Sequence, residues 1–86
     1  MLVPAPDLLA LGVEVARQRR AHGYSIDALA EAAGVHRKTI IQIEAGRVAA
    51  RVSTLHGIAH ALDAPLAELL DPLCRQHGAP QRPAAR

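Results

Sequence analysis

The chain has 86 residues, a length that accommodates one small domain and leaves no room for a second core. Half of the residues are hydrophobic, but Phe and Trp are absent and Tyr24 is the only aromatic residue, so the core must be built from Ala, Leu, Val and Ile. The net charge of +2 is unevenly distributed, since residues 36–51 hold four cationic side chains against Glu44 and residues 75–86 hold three arginines. This composition favours closely packed helices, and the clustered positive charge favours a polyanionic partner.

Several classes of protein are disfavoured by the same composition. The single cysteine, Cys74, excludes an internal disulfide and makes a reducing cytoplasm the expected location. No segment approaches the roughly 18 apolar residues that a membrane span requires, and the N-terminal segment lacks the basic start of a secretion signal. We therefore expect a soluble, cytoplasmic protein without a membrane association.

The first predicted helix begins after Asp7, whose carboxylate can cap the free backbone N–H groups, and it ends near Gly23. Leu8, Leu11 and Val15 recur at the spacing of one helical face. Residues 1–6 precede this helix as a short arm, and residues 7–74 are predicted to form the domain.

Two short helices follow. Ser25 is the predicted N-cap of the second helix, and Gly34 ends that helix by supplying a left-handed residue. The third helix starts after His36, in the N-cap position, and stops at Gly46.

The C-terminal part contains two further predicted helices and a tail. The fourth helix carries one apolar stripe, formed by Val52, Leu55, Ile58, Ala59 and Leu62. The fifth runs from Pro65, which suits the first turn of a helix, to Cys74, with an apolar side formed by Leu66, Leu69, Leu70 and Leu73. Residues 75–86 have no apolar periodicity and are predicted to be a flexible basic tail.

The second and third helices meet the steric requirements of a helix-turn-helix. Ala30 is the small residue that lets the helices cross closely, and Gly34 tolerates the positive φ that the turn needs. Val35, Ile40 and Ile43 are branched apolar residues that can hold the third helix against the core. All these requirements are met at mutually consistent spacing.

With these residues, the sequence closely resembles the Cro and phage-repressor type of helix-turn-helix domain, also called the xenobiotic-response-element family. The resemblance covers roughly residues 11–70 and is carried by the segments LGVEVARQRRAHGYS, LAEAAGVHRKTIIQIEAGR and STLHGIAHALDAPLAELL. It implies an all-α, compact, five-helix lambda-repressor-like domain whose third helix, about residues 37–45, lies in the DNA major groove.

The same resemblance assigns roles to residues of the third helix. Arg37, Lys38 and Gln42 match positions that contact base edges in relatives, and Ile41 lies beside them as a fourth candidate, suited to pack against a thymine methyl group. Arginine can donate two hydrogen bonds to guanine and glutamine suits adenine, so the residue types agree with base readout. Arg37 and Lys38 could also form an ordinary solvated helix start, and Ile41 could instead contact a partner subunit or a neighbouring helix.

Contacts to the DNA backbone and one structural ion pair are also expected. The candidate phosphate-binding residues are Ser25, His36, Thr39, Arg47 and Arg51. Arg19 and Glu44 match a pair that forms a salt bridge in relatives. Ile26 departs from the family pattern, because relatives often have a phosphate-binding glutamine there and isoleucine cannot make that contact.

We therefore predict a sequence-specific regulator of transcription, with repression as its expected action, that binds double-stranded DNA as a homodimer through the region of Leu66, Leu69, Leu70 and Leu73. The alternatives are an antitoxin-type autoregulator that binds a toxin, and an interaction adaptor that no longer touches DNA. No cofactor is expected. His56 and His60 are spaced for a metal but lack the further ligands of a tetrahedral site. An enzyme is disfavoured because the serines are explained as helix-start residues and Cys74 lacks an evident base.

Overall fold

A computed structural model describes residues 3–77 of the protein. Its five α-helices are α1 (Leu8–Ala21), α2 (Ile26–Ala33), α3 (Arg37–Glu44), α4 (Val52–Ala61) and α5 (Leu66–Leu70), and a 3-10 helix (Asp71–His77) follows α5 directly. Residues 3–77 contain no β-strand. The prediction of an all-α, five-helix domain is confirmed.

Side chains cap the helices where the sequence predicted them. The Oδ1 atom of Asp7 accepts a hydrogen bond of 2.9 Å from the backbone N–H of Ala10. The hydroxyl oxygen of Ser25 likewise accepts a 3.0 Å bond from the backbone N–H of Ala28. Each bond satisfies one of the N–H groups that the first turn of a helix leaves free.

The turn between α2 and α3 is built around Gly34. This residue has a φ of 74°, in the left-handed region that glycine adopts without steric cost. The backbone N–H of Val35 then donates a 2.9 Å bond to the carbonyl oxygen of Ala30, which closes the end of α2. The chain can thus enter α3 two residues later, as predicted.

The core lies between the helices and consists of aliphatic side chains from all five. Its buried members are Leu11, Val15, Leu29, Ala30, Ile40, Ile43, Leu55, Ile58, Ala59, Leu62 and Leu69. Val52, which was predicted to share the apolar stripe of α4, is instead largely exposed. The first turn of α4 extends past the edge of the core, and burial on this helix starts at Leu55.

The end of the domain departs from the single fifth helix predicted from Pro65 to Cys74. The α-helix stops at Leu70 and continues as a 3-10 helix. Pro72 explains the change, because it has no N–H to donate to the carbonyl four residues earlier and its ring crowds that position. Pro65 is also placed differently: its ψ of 140° makes it the N-cap and not a member of the first turn.

The 3-10 helix includes residues 75–77, which the sequence assigned to the tail. Residues 78–86, the rest of that predicted tail, lie outside the described residues. The leucines expected at a dimer contact are not equivalent, since Leu69 is fully buried while Leu66, Leu70 and Leu73 are half-buried against the core. Leu69 is therefore a core residue and is removed from the candidate dimer surface.

Candidate nucleic-acid interface

Helix α3 separates its apolar and polar residues onto opposite sides. Ile40 and Ile43 point into the core and are completely buried. Arg37, Lys38 and Ile41 are exposed, and Gln42 is half-buried. The four residues predicted to contact bases therefore lie on the side of α3 that faces away from the core, and the two buried isoleucines hold the helix in place.

His36 caps the N-terminus of this helix through its ring. The Nδ1 atom accepts a 3.0 Å hydrogen bond from the backbone N–H of Lys38. A ring that accepts at Nδ1 carries its proton on Nε2, and the side chain is exposed, so an Nε2–H donor faces solvent beside the two cations. The predicted phosphate-binding residue is thus also a structural cap.

Arg37 forms an ion pair that the sequence did not predict. Its Nε atom donates a 2.6 Å hydrogen bond to Oδ1 of Asp27, in the first turn of α2. Both side chains remain exposed, at 58% for Arg37 and 72% for Asp27. The bond joins the two helices of the helix-turn-helix on its outer surface.

The predicted ion pair between Arg19 and Glu44 is present and consists of two hydrogen bonds. Nε of Arg19 donates to Oε2 of Glu44 at 2.7 Å, and Nη2 donates to Oε1 at 3.1 Å. A third bond, of 3.0 Å, runs from Nη1 to the carbonyl oxygen of Tyr24. The side chains of Arg19 and Glu44 are only 10% and 11% exposed, so the ion pair is largely buried.

The hydrogen bond to Glu44 raises the pKa of Arg19 above its ordinary value. Arg19 therefore stays a cation throughout the accessible pH range and neutralises Glu44 at the end of α3. Because an unpaired carboxylate there would repel phosphate, this neutralisation preserves the basic character of the outward face of α3.

Gly12 sets how closely α1 approaches the C-terminal end of α3. A Cβ atom at this position would lie 2.6 Å from the carbonyl oxygen of Glu44 and would also collide with that of Ile43. The two backbones are therefore in direct contact. The sequence placed Gly12 within the first helix without revealing this role.

The remaining candidate phosphate-binding residues lie before, within and after α3 along the chain. Ser25, Arg47 and Arg51 are exposed, and Thr39 is half-buried. The backbone N–H of Arg47 donates a 3.0 Å bond to the carbonyl oxygen of Gln42, which holds the start of the loop against the end of α3. Their contacts with DNA remain a prediction.

Ile26 is half-buried and packs against the core. The side chain that replaces the phosphate-binding glutamine of relatives is thus used to anchor α2.

Two negative findings concern other kinds of site. Within residues 3–77, His, Cys, Asp and Glu form no group of three that could hold a metal ion. Across that same part of the chain, every helix is too short or too polar to cross a bilayer.

The helix-turn-helix of α2 and α3, with its exposed cationic second helix, defines a DNA-binding domain. Residues 15–69, more than half of the chain, match the helix-turn-helix family of Cro and C1 type. The chain belongs to this family, which is a family of DNA-binding regulators and not of enzymes. A comparison with curated protein sequences finds no match.

Solved structures of similar fold include several regulators. The restriction-modification controller protein C.AhdI from Aeromonas hydrophila has a TM-score of 0.72 at 30% identity, over 73% of this chain and 96% of that one. The clp gene regulator ClgR from Corynebacterium glutamicum has a TM-score of 0.72 at 31% identity, over 85% and 95%.

SinR, the master regulator for biofilm formation, was solved in complex with DNA and has a TM-score of 0.68 at 31% identity, over 71% and 98%. A structure of SinR with the SinI protein gives 0.69 at 31% identity, over 71% and 60%. Together with the family assignment, these similarities make the chain a DNA-binding regulator of transcription.

Proposed function

We propose that the protein represses transcription by placing α3 in the major groove of double-stranded DNA. The observation that carries this proposal is the two-sided character of α3. Ile40 and Ile43 fix the helix to the core, while Arg37 and Lys38 stand free of the core at its start. A B-DNA major groove admits one such helix.

Base readout follows from the chemistry of the outward side chains. Arg37 is suited to donate two hydrogen bonds to O6 and N7 of guanine, and Gln42 one turn later is suited to adenine. Lys38 binds a guanine or a phosphate as a compact charge. Ile41 offers an apolar surface to a thymine methyl group. A few base pairs are thereby read by each helix.

Phosphate contacts would hold the helix in register. We assign them to Ser25, His36 and Thr39 at the start of the motif and to Arg47 and Arg51 beside the loop that follows α3. The exposed Nε2–H of His36 is a suitable donor, because Nδ1 is already engaged with the backbone. Ile26 makes no such contact, since it packs inward.

Dimer formation would supply the specificity that one helix lacks. We propose a homodimer on an inverted repeat with half-sites about 34 Å apart, formed through Leu66 and Leu70 of α5 and Leu73 of the 3-10 helix that follows. The protein would act in the cytoplasm, where bacterial DNA is found, and by binding rather than catalysis. Selection of bound fragments from random duplex DNA tests this proposal, because a recovered motif with two-fold symmetry supports it and recovery of no motif contradicts it.

Replacing Arg37 with alanine is expected to relax base preference at one position of each half-site, at a cost of about 2 kcal/mol in specific binding. The measurement compares dissociation constants for the selected site and for duplexes altered at single positions. Arg20→Ala, which removes the same charge from the exposed end of α1, is the matched control and should leave the preference intact. Equal losses on selected and random DNA for Arg37→Ala would refute the base-reading role.

Replacing Arg51 with alanine is expected to weaken binding to all sequences by a similar factor. A lost phosphate contact releases one counterion fewer, so the slope of log K against log salt should become shallower by about 1. Titrations at several salt concentrations provide the slope. If the slope is unchanged while one base position loses its preference, Arg51 reads sequence and does not bind the backbone.

A protein-binding function is the second candidate, either as an antitoxin-type autoregulator or as an adaptor without DNA binding. The inward packing of Ile26 removes one phosphate anchor, and Leu9 and Val13 expose apolar surface on α1. The similar regulator SinR has been solved with the SinI protein as well as with DNA. Binding measurements at several salt concentrations distinguish DNA binding from protein binding. The affinity for DNA through phosphates falls steeply as the salt concentration rises, whereas the affinity of an apolar protein interface does not.

A further inference from the structure

Asp27 is an acidic residue on the surface that would approach DNA, where a carboxylate is unfavourable unless it is neutralised. It lies in the first turn of α2 and accepts a 2.6 Å hydrogen bond from Nε of Arg37, the first residue of α3. Glu44 at the other end of α3 is also paired, with Arg19. Asp27 and Glu44 are thus each bound to an arginine.

The two pairs differ in burial, and the difference indicates different roles. Arg19 is 10% exposed and donates three hydrogen bonds within the fold, two to Glu44 and one to Tyr24. Arg37 is 58% exposed and is held by Asp27 through Nε. The Nη1 and Nη2 groups lie at the far end of the planar guanidinium, and this end supplies the two parallel N–H donors that match O6 and N7 of guanine.

We propose that Asp27 is a positioning residue that holds the Arg37 side chain in the orientation needed to read a guanine. Arginine otherwise loses considerable rotamer freedom when it binds a base, and a carboxylate that already restricts the side chain reduces this loss. Asp27 thereby increases the preference for guanine over other bases at the position of Arg37. This role rests on the proposed base reading by Arg37.

The test compares Asp27→Ala with Glu31→Ala. Glu31 is an exposed acid one turn further along α2, so its removal changes the net charge equally without touching the ion pair. Dissociation constants are measured for four duplexes that differ only in the base opposite Arg37. We expect Asp27→Ala to lower the ratio between guanine and the other bases about two- to tenfold, and Glu31→Ala to leave that ratio unchanged.

A double-mutant cycle identifies the residue through which Asp27 acts. In the Arg37→Ala background, Asp27→Ala should have no more effect on the ratio than Glu31→Ala has. Asp27→Asn keeps the size of the side chain while removing its charge, and it carries the same test if the alanine variant does not fold. Melting temperatures establish that each variant is folded.

The outcomes separate this inference from the function on which it rests. If Asp27→Ala binds all four duplexes more tightly with an unchanged ratio, the carboxylate merely competes with DNA for Arg37 and the positioning role is overturned. An equal effect of Asp27→Ala with and without Arg37 overturns it as well. If the unaltered protein shows no base preference at all, the proposed function itself fails.

Discussion

Replacing Gly12 with valine is expected to lower the free energy of unfolding by about 3 kcal/mol or more. The Cβ atom alone would meet the carbonyl oxygens of Ile43 and Glu44, the latter at 2.6 Å. Backbone atoms cannot rotate away as a side chain would, so α1 and α3 must separate. Since Ile43 is buried beneath that contact, the separation also opens the core behind the DNA-facing helix.

Urea denaturation measures this loss of stability. Two further variants serve for comparison, one with a smaller side chain at position 12 and one with valine at an exposed position. The free energy of unfolding of Gly12→Ala should lie between those of the native protein and Gly12→Val. Alanine adds the clashing Cβ atom but gains up to about 1 kcal/mol of helix propensity. Ala21→Val places the same side chain at an exposed position of α1 and should change stability by about 0.5 kcal/mol. A Gly12→Val protein as stable as Ala21→Val would show that the two helices are not in backbone contact.

The path of the chain was predictable because it depends on local signals. Asp7, Ser25 and His36 each precede a helix with a side chain that can accept a backbone N–H, and Gly34 supplies the left-handed residue that a tight turn needs. These requirements concern residues within four positions of each other. The first three helices consequently start where the sequence predicted, and the chain turns at Gly34 as expected.

What the sequence did not reveal depends on how the helices pack. The bond between Asp27 and Arg37 joins side chains ten residues apart, and it requires the angle at which α2 meets α3. The role of Gly12 depends equally on the distance between α1 and α3. Neither quantity is encoded in the spacing of residues along a single helix.

The error at the end of the domain had a signal that could have been used. Pro72 lies seven residues after Pro65 within the segment predicted to be one helix, and an internal proline removes a hydrogen bond of the α-helix. The apolar spacing of the leucines favoured a longer helix, and local backbone chemistry outweighed it. Exposed Val52 is a different case, because periodicity predicts which side of a helix is apolar but not how far the core extends along it.

The interior pair of Arg19 and Glu44 gives the second large expected effect. Glu44→Ala is expected to lower the free energy of unfolding by about 3 kcal/mol, because it leaves the guanidinium of Arg19 in a site that is only 10% exposed, without its counter-ion and with two of its bonds lost. Arg17→Ala breaks a pair with Glu14 of similar length, 2.6 Å, in which Arg17 is 64% and Glu14 18% exposed. Glu14 still accepts a 2.7 Å hydrogen bond from Nε2 of Gln18 in this variant. This control should cost only about 0–1 kcal/mol.

A double variant distinguishes the cost of an unpaired charge from the loss of a favourable pair. Replacing both Arg19 and Glu44 with leucine removes the buried charge together with its partner, and such replacements are often nearly neutral. We therefore expect the double variant to be more stable than Glu44→Ala in urea denaturation, although it also loses the hydrogen bond from Arg19 to the carbonyl oxygen of Tyr24. A double variant at least as unstable as Glu44→Ala would mean that the three hydrogen bonds of Arg19 stabilise the fold directly. Burial of an uncompensated charge would then not be the source of the stability lost in Glu44→Ala.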